Sequence, residues 1–290
     1  MENKVKCPYC KSESVVKRGL SPTQNRGKQQ RYLCNSCKKT FIQDLGFWKM
    51  KTSEEKITMA IDMYLSTLSS RKMRNMFKRH FNMKISHIAV LEWVRKYVLK
   101  VQNYIEKLGY NLGDSFFADE TEINRQGNYD RFWACVDWDT RLITGIHYSI
   151  AGNVEEAITF LNKAVSKGRP KYIQTDSAKF YPRAFNRLFY SNKLGFGGDK
   201  VVKHKIQNYQ KTRIHNYKIE TVFMKIKDRV EDFRGLKALW SAPILLMGLV
   251  IQHNFIESHT TTKKVPCELA GQSLGLGENR WLGLIRLSVT

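Results

Sequence analysis

The stretch SFFADETEI, residues 115–123, alternates apolar and polar side chains and holds one acid, Asp119, inside a strand-like run. Two more strand-like runs follow at residues 131–137 and 142–150, joined by a turn over residues 138–141. Before Gly109 the hydrophobic pattern is helical instead. The change of period therefore predicts that an α/β core begins here and that its first strand carries Asp119.

The same core continues with a second set of alternating strands and helices. The sequence predicts a helix, a strand ending in Asp176, a helix, a brief strand and a long helix, at residues 154–167, 171–176, 178–188, 201–205 and 217–233. This order matches a ribonuclease H-like α/β fold, a mixed five-stranded sheet with flanking helices, in which the first and fourth strands lie side by side. We expect that arrangement to bring Asp119 and Asp176 together, with Glu220 supplied by the long helix.

Each of these acids also has an ordinary local explanation. Asp176 could be the N-cap of the next helix, and Glu220 could be a first-turn acid that the helix dipole favours. Asp119 could end a strand while Glu120 or Glu122 carries the charge, but both face away from Asp119 on an alternating strand. Asp137 and Asp139 are competing acids too, but they lie at the hairpin turn, where aspartate is common.

Several motifs occur together and in a fixed order. They are ADET around Asp119, TDSAKFY from Thr175, NYKIETVFMKIKDRVEDFRG from Asn216, HNFIESH at residues 253–259, and PCELAG with NRWLGLI near the end. This set resembles the DDE-type transposases of bacterial or archaeal insertion sequences, within the integrase superfamily. The resemblance covers most of the chain, and it is specific because all of the motifs occur in the family's order.

The resemblance implies a metal-dependent transposase that cleaves DNA and transfers the cut strand to target DNA. The matched acids Asp119, Asp176 and Glu220 would hold two Mg²⁺ or Mn²⁺ ions, whose chemistry suits phosphoryl transfer. Lys227, seven positions after Glu220 and on the same helical face, would contact the transposon end. A homo-oligomer, a dimer or larger, is expected because two element ends are joined.

Four cysteines form two C-x2-C pairs near the start of the chain. Cys7 and Cys10 are separated from Cys34 and Cys37 by 23 residues. Two such knuckles complete a tetrahedral four-cysteine zinc site, which stabilises a module too small for a large core. Residues 1–48 are therefore predicted to be a zinc ribbon with one structural Zn²⁺; a redox C-x-x-C pair fits less well, because that motif usually occurs singly.

Residues 52–107 have the pattern of three short helices, typical of a helix-turn-helix DNA-binding domain. Ser86 would cap the recognition helix, whose candidate DNA contacts are His87, Arg95 and Lys96. A later basic stretch adds Arg213 as a candidate contact to the DNA backbone. The catalytic core is predicted at residues 110–260 and a C-terminal tail at residues 261–290.

The charge of the chain points to the same partner. There are 49 Lys and Arg against 26 Asp and Glu, which gives +23, and the excess is spread over the whole length. This distribution favours double-stranded DNA, as element ends and target. No secretory signal is visible, and the most apolar run, residues 242–251, is too short to span a bilayer. We expect a cytoplasmic, nucleoid-associated protein with no membrane partner.

Two other functions remain open on the sequence. One is a catalytically silent regulator that binds DNA through the zinc ribbon and helix-turn-helix. The other is a metal-dependent DNA nuclease without strand transfer. A tyrosine or serine recombinase using Tyr181 or Ser177 is disfavoured, since no arginine-rich activating cluster surrounds either residue.

Overall fold

The computed structural model describes residues 5–23, 27–66, 68–190, 202–207 and 216–289. The backbone divides into two compact units, one made of Met1–Ala60 with Leu276–Thr290 and the other of Ile61–Gly275. The second unit contains the five-stranded sheet and both candidate acidic strands.

The N-terminal sheet has three antiparallel strands in the order β1 (Val15–Thr23), β2 (Gly27–Cys34) and β3 (Thr40–Ile42). Its small core is built around Cys7, Cys34 and Phe41, and the ring of Tyr32 stacks on that of Phe41 at 5.7 Å. Strands β1 and β2 form a hairpin between the two cysteine pairs, and the tip of its loop lies outside the described residues.

Three helices follow: α1 (Glu54–Ser66), α2 (Ser70–Phe81) and α3 (His87–Ile105). The hydroxyl of Ser86 accepts a hydrogen bond from the amide of Ala89 at 3.0 Å, which confirms the predicted cap of α3. Helix α2 ends at Asn82, whose left-handed backbone suits its short polar side chain. Trp93 is buried, so it is a core residue, as its place on the apolar face predicts.

The central sheet contains β4 (Ser115–Arg125), β5 (Asn128–Asp137), β6 (Ile143–Ser149), β7 (Tyr172–Thr175) and β8 (Lys203–Ile206), in the order β6-β5-β4-β7-β8. Strand β4 pairs antiparallel with β5 and parallel with β7. The first and fourth strands of the core are thus neighbours, as expected, and the core has the ribonuclease H-like α/β fold. Phe116 lies opposite Ile173 in this parallel pair.

Helices cover both faces of the sheet. On one face α4 (Val154–Val165) and α5 (Phe180–Phe185) pack against the even-numbered side chains of β4, such as Phe116 and Ala118. On the other face lies α6 (Tyr217–Asp232), where Phe223 meets Phe132 at 6.0 Å between ring centroids. The period-two alternation of β4 therefore divides its side chains between the α5 face and the α6 face.

One predicted helix has different limits from those expected. Residues 178–188 form α5 followed by a π-helical turn, Asn186–Tyr190. Pro182 explains the late start, because a proline has no amide hydrogen and fits a helix only in its first turn.

The C-terminal part contains α7 (Ala242–Ile251), a π-helical turn (Gln252–Ile256), α8 (Pro266–Leu269) and α9 (Arg280–Leu287). Asn254 is buried and pairs with the backbone of the edge strand β6. Its Oδ1 accepts from the amide of Ile143 and its Nδ2 donates to the carbonyl of Ile143, both at 2.9 Å. Within the described residues, no helix is long and apolar enough to cross a membrane.

Candidate carboxylate metal centre

Three carboxylates converge where β4 and β7 run side by side. Asp119 lies within β4, Glu120 follows it, and Asp176 comes directly after the last residue of β7. One oxygen from each of these side chains lies within 4.8 Å of the others. The predicted meeting of Asp119 and Asp176 therefore occurs, and Glu120 joins them.

The carboxylate of Asp176 is held by a local turn. Its Oδ1 accepts a hydrogen bond from the amide of Ala178 at 2.9 Å, two residues ahead. The N-cap position of α5 belongs to Lys179, which makes no capping side-chain bond. Asp176 is thus not the N-cap of α5, and this turn engages only one of its two oxygens.

Glu120 is a site residue that the strand alternation alone had set aside. It leaves β4 on the α5 face, where its Oε2 accepts a hydrogen bond from the hydroxyl of Tyr181 at 2.8 Å. Its carboxylate nevertheless reaches the group formed by Asp119 and Asp176. Glu120 and Asp119 leave β4 on opposite faces, yet their carboxylates lie close together. In the sequence, the only indication that Glu120 belongs to the site is its position next to Asp119.

The pKa values of this group are raised mainly by burial and further by the closeness of like charges. Burial raises the pKa of Asp119 to about 8, and the negative charges of Asp176, Glu120 and Glu220 act in the same direction. Burial likewise raises the pKa of Glu120 to about 7, although the hydrogen bond from Tyr181 opposes the shift. A bound cation would relieve this repulsion.

Glu220 occupies the first turn of α6 and is exposed. Its negative charge contributes to the raised pKa of Asp119. In the described part of the chain, however, the oxygens of Glu220 are not among the carboxylate oxygens that lie within 4.8 Å of one another. The start of α6 is tied to β4 because Nδ2 of Asn216 donates to the carbonyl of Ala118 at 3.4 Å. The helix thus presents Glu220 next to the group.

The donors present suit a hard divalent cation. Mg²⁺ and Mn²⁺ prefer carboxylate oxygens, and those bound to one Mg²⁺ at about 2.1 Å lie about 3 to 4 Å apart. The observed upper separation of 4.8 Å is close to that range. Side-chain rotation alone can close the difference, so Asp119, Glu120 and Asp176 fit such an ion.

Comparison with known families identifies the core. Residues 113–259, just over half of the chain, match the family DDE_Tnp_IS240, whose description is "DDE domain". The chain belongs to this DDE domain family. The matched range contains all three predicted catalytic acids, Asp119, Asp176 and Glu220.

Solved structures with a similar backbone include retroviral proteins. A chain of the simian T-cell lymphotropic virus intasome, in complex with the PP2A regulatory subunit B56 gamma, is 17% identical, with a TM-score of 0.42 and 57% of each chain covered. The HTLV-2 integrase catalytic core domain in complex with magnesium, in its dimeric form, is 15% identical with a TM-score of 0.40, covering 57% of this chain and 99% of that one. No curated protein matches the chain significantly.

The N-terminal cysteines of this DDE domain protein form a second candidate metal site. The Sγ atoms of Cys7 and Cys37 are 3.6 Å apart and those of Cys10 and Cys34 are 3.5 Å apart. All four sulfurs lie within 4.8 Å of one another. Thiolates bound tetrahedrally to zinc at about 2.3 Å would be about 3.8 Å apart, so the set fits Zn²⁺.

Backbone hydrogen bonding favours the thiolate form at one of these cysteines. The backbone amide of Cys37 lowers the pKa of Cys34 to about 6. Amide hydrogen bonds stabilise a thiolate, which is the form that binds metal. All four cysteines are free of disulfides.

The predicted DNA contacts lie in different surroundings. Lys227 is exposed on α6, and Lys96 is exposed on α3. His87 is half-buried at the start of α3, and Arg95 stacks over the ring of Trp240 at 4.6 Å. Arg213 lies outside the described residues.

Other candidate residues of the DDE domain have structural roles. Tyr181 is fully buried, and burial raises its pKa well above the usual value, which argues against a nucleophile. Asp137 is buried in the hairpin turn, where its Oδ2 accepts from the hydroxyl of Thr140 at 2.6 Å and from the amide of Gly113 at 3.1 Å. Its turn role agrees with the sequence interpretation.

Proposed function

We propose that this chain is the transposase of a mobile DNA element. It binds the terminal repeats of the element and catalyses metal-dependent DNA cleavage and strand transfer. The observation that carries this proposal is the convergence of Asp119, Glu120 and Asp176 at the parallel pair β4 and β7 within a DDE domain. A half-buried group of carboxylates in which two members, Asp119 and Glu120, have raised pKa values is typical of a functional site.

In this proposal Asp119, Asp176 and Glu220 are the catalytic acids. Divalent cations bound there would supply the positive charge that activates the attacking hydroxyl and stabilises the leaving oxygen. Asp176 has one oxygen outside its turn for binding, and Glu220, in the first turn of α6, would complete the set by moving toward the group. No covalent bond between protein and DNA is required.

The other modules would hold the DNA. We assign residues 1–48 to a zinc ribbon, residues 52–107 to a helix-turn-helix domain, residues 110–260 to the catalytic core and residues 261–290 to a C-terminal tail. His87, Arg95, Lys96, Arg213 and Lys227 are the proposed contacts, favoured by the overall charge of +23. Joining two element ends would need a homo-oligomer, a dimer or larger.

The test is a joining assay with labelled duplexes carrying the inverted repeats that flank the gene, a target plasmid, and Mg²⁺ or Mn²⁺. Wild-type protein should nick the duplex and join its 3′ end to the plasmid. Asp176→Asn and Glu220→Gln should each reduce joining at least about a hundredfold, because each removes a carboxylate that would hold the divalent cations. Glu155→Gln is the matched control, an acid that is exposed on α4.

The three functions give different results in this assay. Cleavage without joining would identify a nuclease and refute the strand-transfer step. Binding of the repeats with neither reaction, in either metal, would identify a regulator. Full joining by Asp176→Asn would show that the assignment of this acid is wrong.

A further inference from the structure

A second cluster of side chains lies on the α6 face of the sheet, and no role described above uses it. It alternates cations with aromatic rings, and we refer to it as the Arg141 surface. Its members are Trp138, Arg141, Tyr172, Lys205, Tyr217 and Lys218.

The contacts within the Arg141 surface are close. The guanidinium of Arg141 lies 3.3 Å from the ring centre of Trp138, and Nζ of Lys218 lies 4.4 Å from the same ring. Tyr217 meets Trp138 edge to face at 5.9 Å and is 54% exposed. Two cations therefore contact the ring of Trp138, and the exposed ring of Tyr217 lies beside them.

Arg141 has donors that lack a protein partner. Its Nε and Nη1 atoms are buried and make no hydrogen bond to any of the described residues. A buried guanidinium nitrogen without an acceptor is unfavourable, and such groups in native proteins call for a missing partner. An oxygen-rich anion would supply the acceptors.

The backbone of Arg141 adds a second reason to look for a ligand. Its φ is +65°, in the left-handed region where a non-glycine residue is strained by about 1 kcal/mol. The turn holds it there through a hydrogen bond from the amide of Arg141 to the carbonyl of Asp137 at 2.8 Å. Glycine or asparagine would suit this position better, so the arginine side chain is not explained by the turn.

The positive charges of this surface are not neutralised nearby. Among the described residues, neither Arg141 nor Lys218 forms an ion pair with a carboxylate within 4.0 Å. The exposed Asp139 acts on both at longer range, and the buried Asp137 acts on Arg141 in the same way. The positive groups of Arg141, Lys205 and Lys218 lie in one cluster and repel one another. A bound anion would remove this repulsion.

The surface lies near the carboxylates. Lys218 also covers the ring of Phe117 at 4.0 Å, and Phe117 precedes Asp119 by two residues on the same face of β4. Two residues of a strand span about 6.6 Å, roughly the spacing of neighbouring phosphates in a DNA strand.

We propose that the Arg141 surface binds a backbone phosphate of the DNA strand that enters the carboxylate centre, with Arg141 and Lys218 as the phosphate ligands. The inference rests on the proposed function, since it takes the strand to be the one that the acids cut. Arginine offers a planar fork of donors that matches a phosphate, and lysine adds a point charge. Tyr217 supplies a ring on which the adjacent base can stack.

The experiment measures DNA binding by fluorescence anisotropy over a range of salt concentrations, with full-length protein and a labelled duplex of arbitrary sequence. No Mg²⁺ or Mn²⁺ is added, so cleavage plays no part in the result. The variants are Arg141→Asn and Lys218→Gln. The matched control is Arg187→Gln, an arginine 60% exposed and paired with Glu155.

Arg141→Asn is informative because asparagine tolerates the left-handed backbone. We expect its unfolding temperature to equal or exceed that of the wild type, while affinity at low salt falls roughly tenfold. The slope of log K against log salt should become shallower by about 0.9, because one phosphate of the DNA is no longer neutralised by the protein. Lys218→Gln should show the same reduced slope, and Arg187→Gln should not.

Two results would overturn the proposal. The first is an unchanged salt slope in folded Arg141→Asn and Lys218→Gln. The second is a lower unfolding temperature of Arg141→Asn with wild-type binding, which would make Arg141 a structural residue. If the variants bind weakly as expected but wild-type protein cuts no DNA with metal, the proposed function fails while the phosphate site stands.

Discussion

The hydroxyl of Tyr181 donates a hydrogen bond to Oε2 of Glu120 over 2.8 Å, and Tyr181 itself is fully buried between α5 and the sheet. This contact connects the hydrophobic core of the α5 face to the cluster of carboxylates at β4. It favours the ionised form of Glu120, because an O–H donor stabilises a carboxylate. The core thus influences the charge of the metal centre.

Replacing Tyr181 with phenylalanine should move the pH dependence of metal-supported activity. Without the donated hydrogen bond, the pKa of Glu120 should rise above its value of about 7, so less carboxylate is available at neutral pH. We expect the acidic limb of the pH profile to shift upward and activity at pH 7 to fall several-fold, with recovery at higher pH.

The measurement is the rate of strand joining against pH at fixed Mg²⁺. Tyr190→Phe is the control, since its hydroxyl donates to the carbonyl of Val202 at 3.1 Å instead. An identical pH profile for Tyr181→Phe and wild type would contradict the role given to this contact.

Removing zinc should unfold the ribbon and leave the core intact. Cys34→Ser removes one of four ligands from a module with a very small buried core, so metal and local fold should be lost together. Metal analysis should fall from one zinc per chain to near zero, and limited proteolysis should cleave within residues 5–45. Cys135→Ala, a cysteine buried in the central core, should keep its zinc. Retention of zinc by Cys34→Ser would count against the four-cysteine site.

Acid should destabilise the core partly through two histidines. Burial lowers the pKa values of His204 and His253 to about 4, from an ordinary 6.5. The unfolded chain therefore binds protons first as the pH falls, so the stabilisation present above about 6.5 is lost progressively down to about 4. Urea unfolding at several pH values measures this loss. Between these pH values, the free energy of unfolding should fall less steeply in His204→Phe than in the wild type. Phenylalanine is chosen because its ring can keep the stack on Phe185. An equal pH dependence in both proteins would refute this account.

Asn254→Leu should destabilise the core by about 2 to 4 kcal/mol, because it leaves the amide and the carbonyl of Ile143 without partners in a buried position. Denaturant unfolding measures this change. Asn162→Ala, at an exposed position of α4, should change the free energy of unfolding by less than about 0.5 kcal/mol. Equal stability of the two variants would show that the amide pairing contributes little.

Much of the core follows from local pattern. The alternation around Asp119 predicts β4, and the short apolar run before Asp176 predicts β7, because strand period and length are local properties. The neighbouring positions of these strands follow from the order of elements. The late start of α5 is also local, and attention to Pro182 would have predicted it.

Other features depend on packing between distant segments. Alternation states which face Glu120 leaves from, but not how far its flexible side chain reaches toward Asp176. The contact between Arg141 and Trp138 arises within one turn, yet Lys218 joins it from a helix almost eighty residues later. A single sequence contains no direct signal for such contacts between distant segments.

The amide of Asn254 also has a consequence for assembly. By pairing with both backbone groups of Ile143, it imitates the next strand and occupies a hydrogen-bonding position on the open side of β6. An exposed strand edge is otherwise a template on which a second chain can extend a sheet. At Ile143 that template is closed, so a second chain cannot extend the sheet by pairing with β6 at this position.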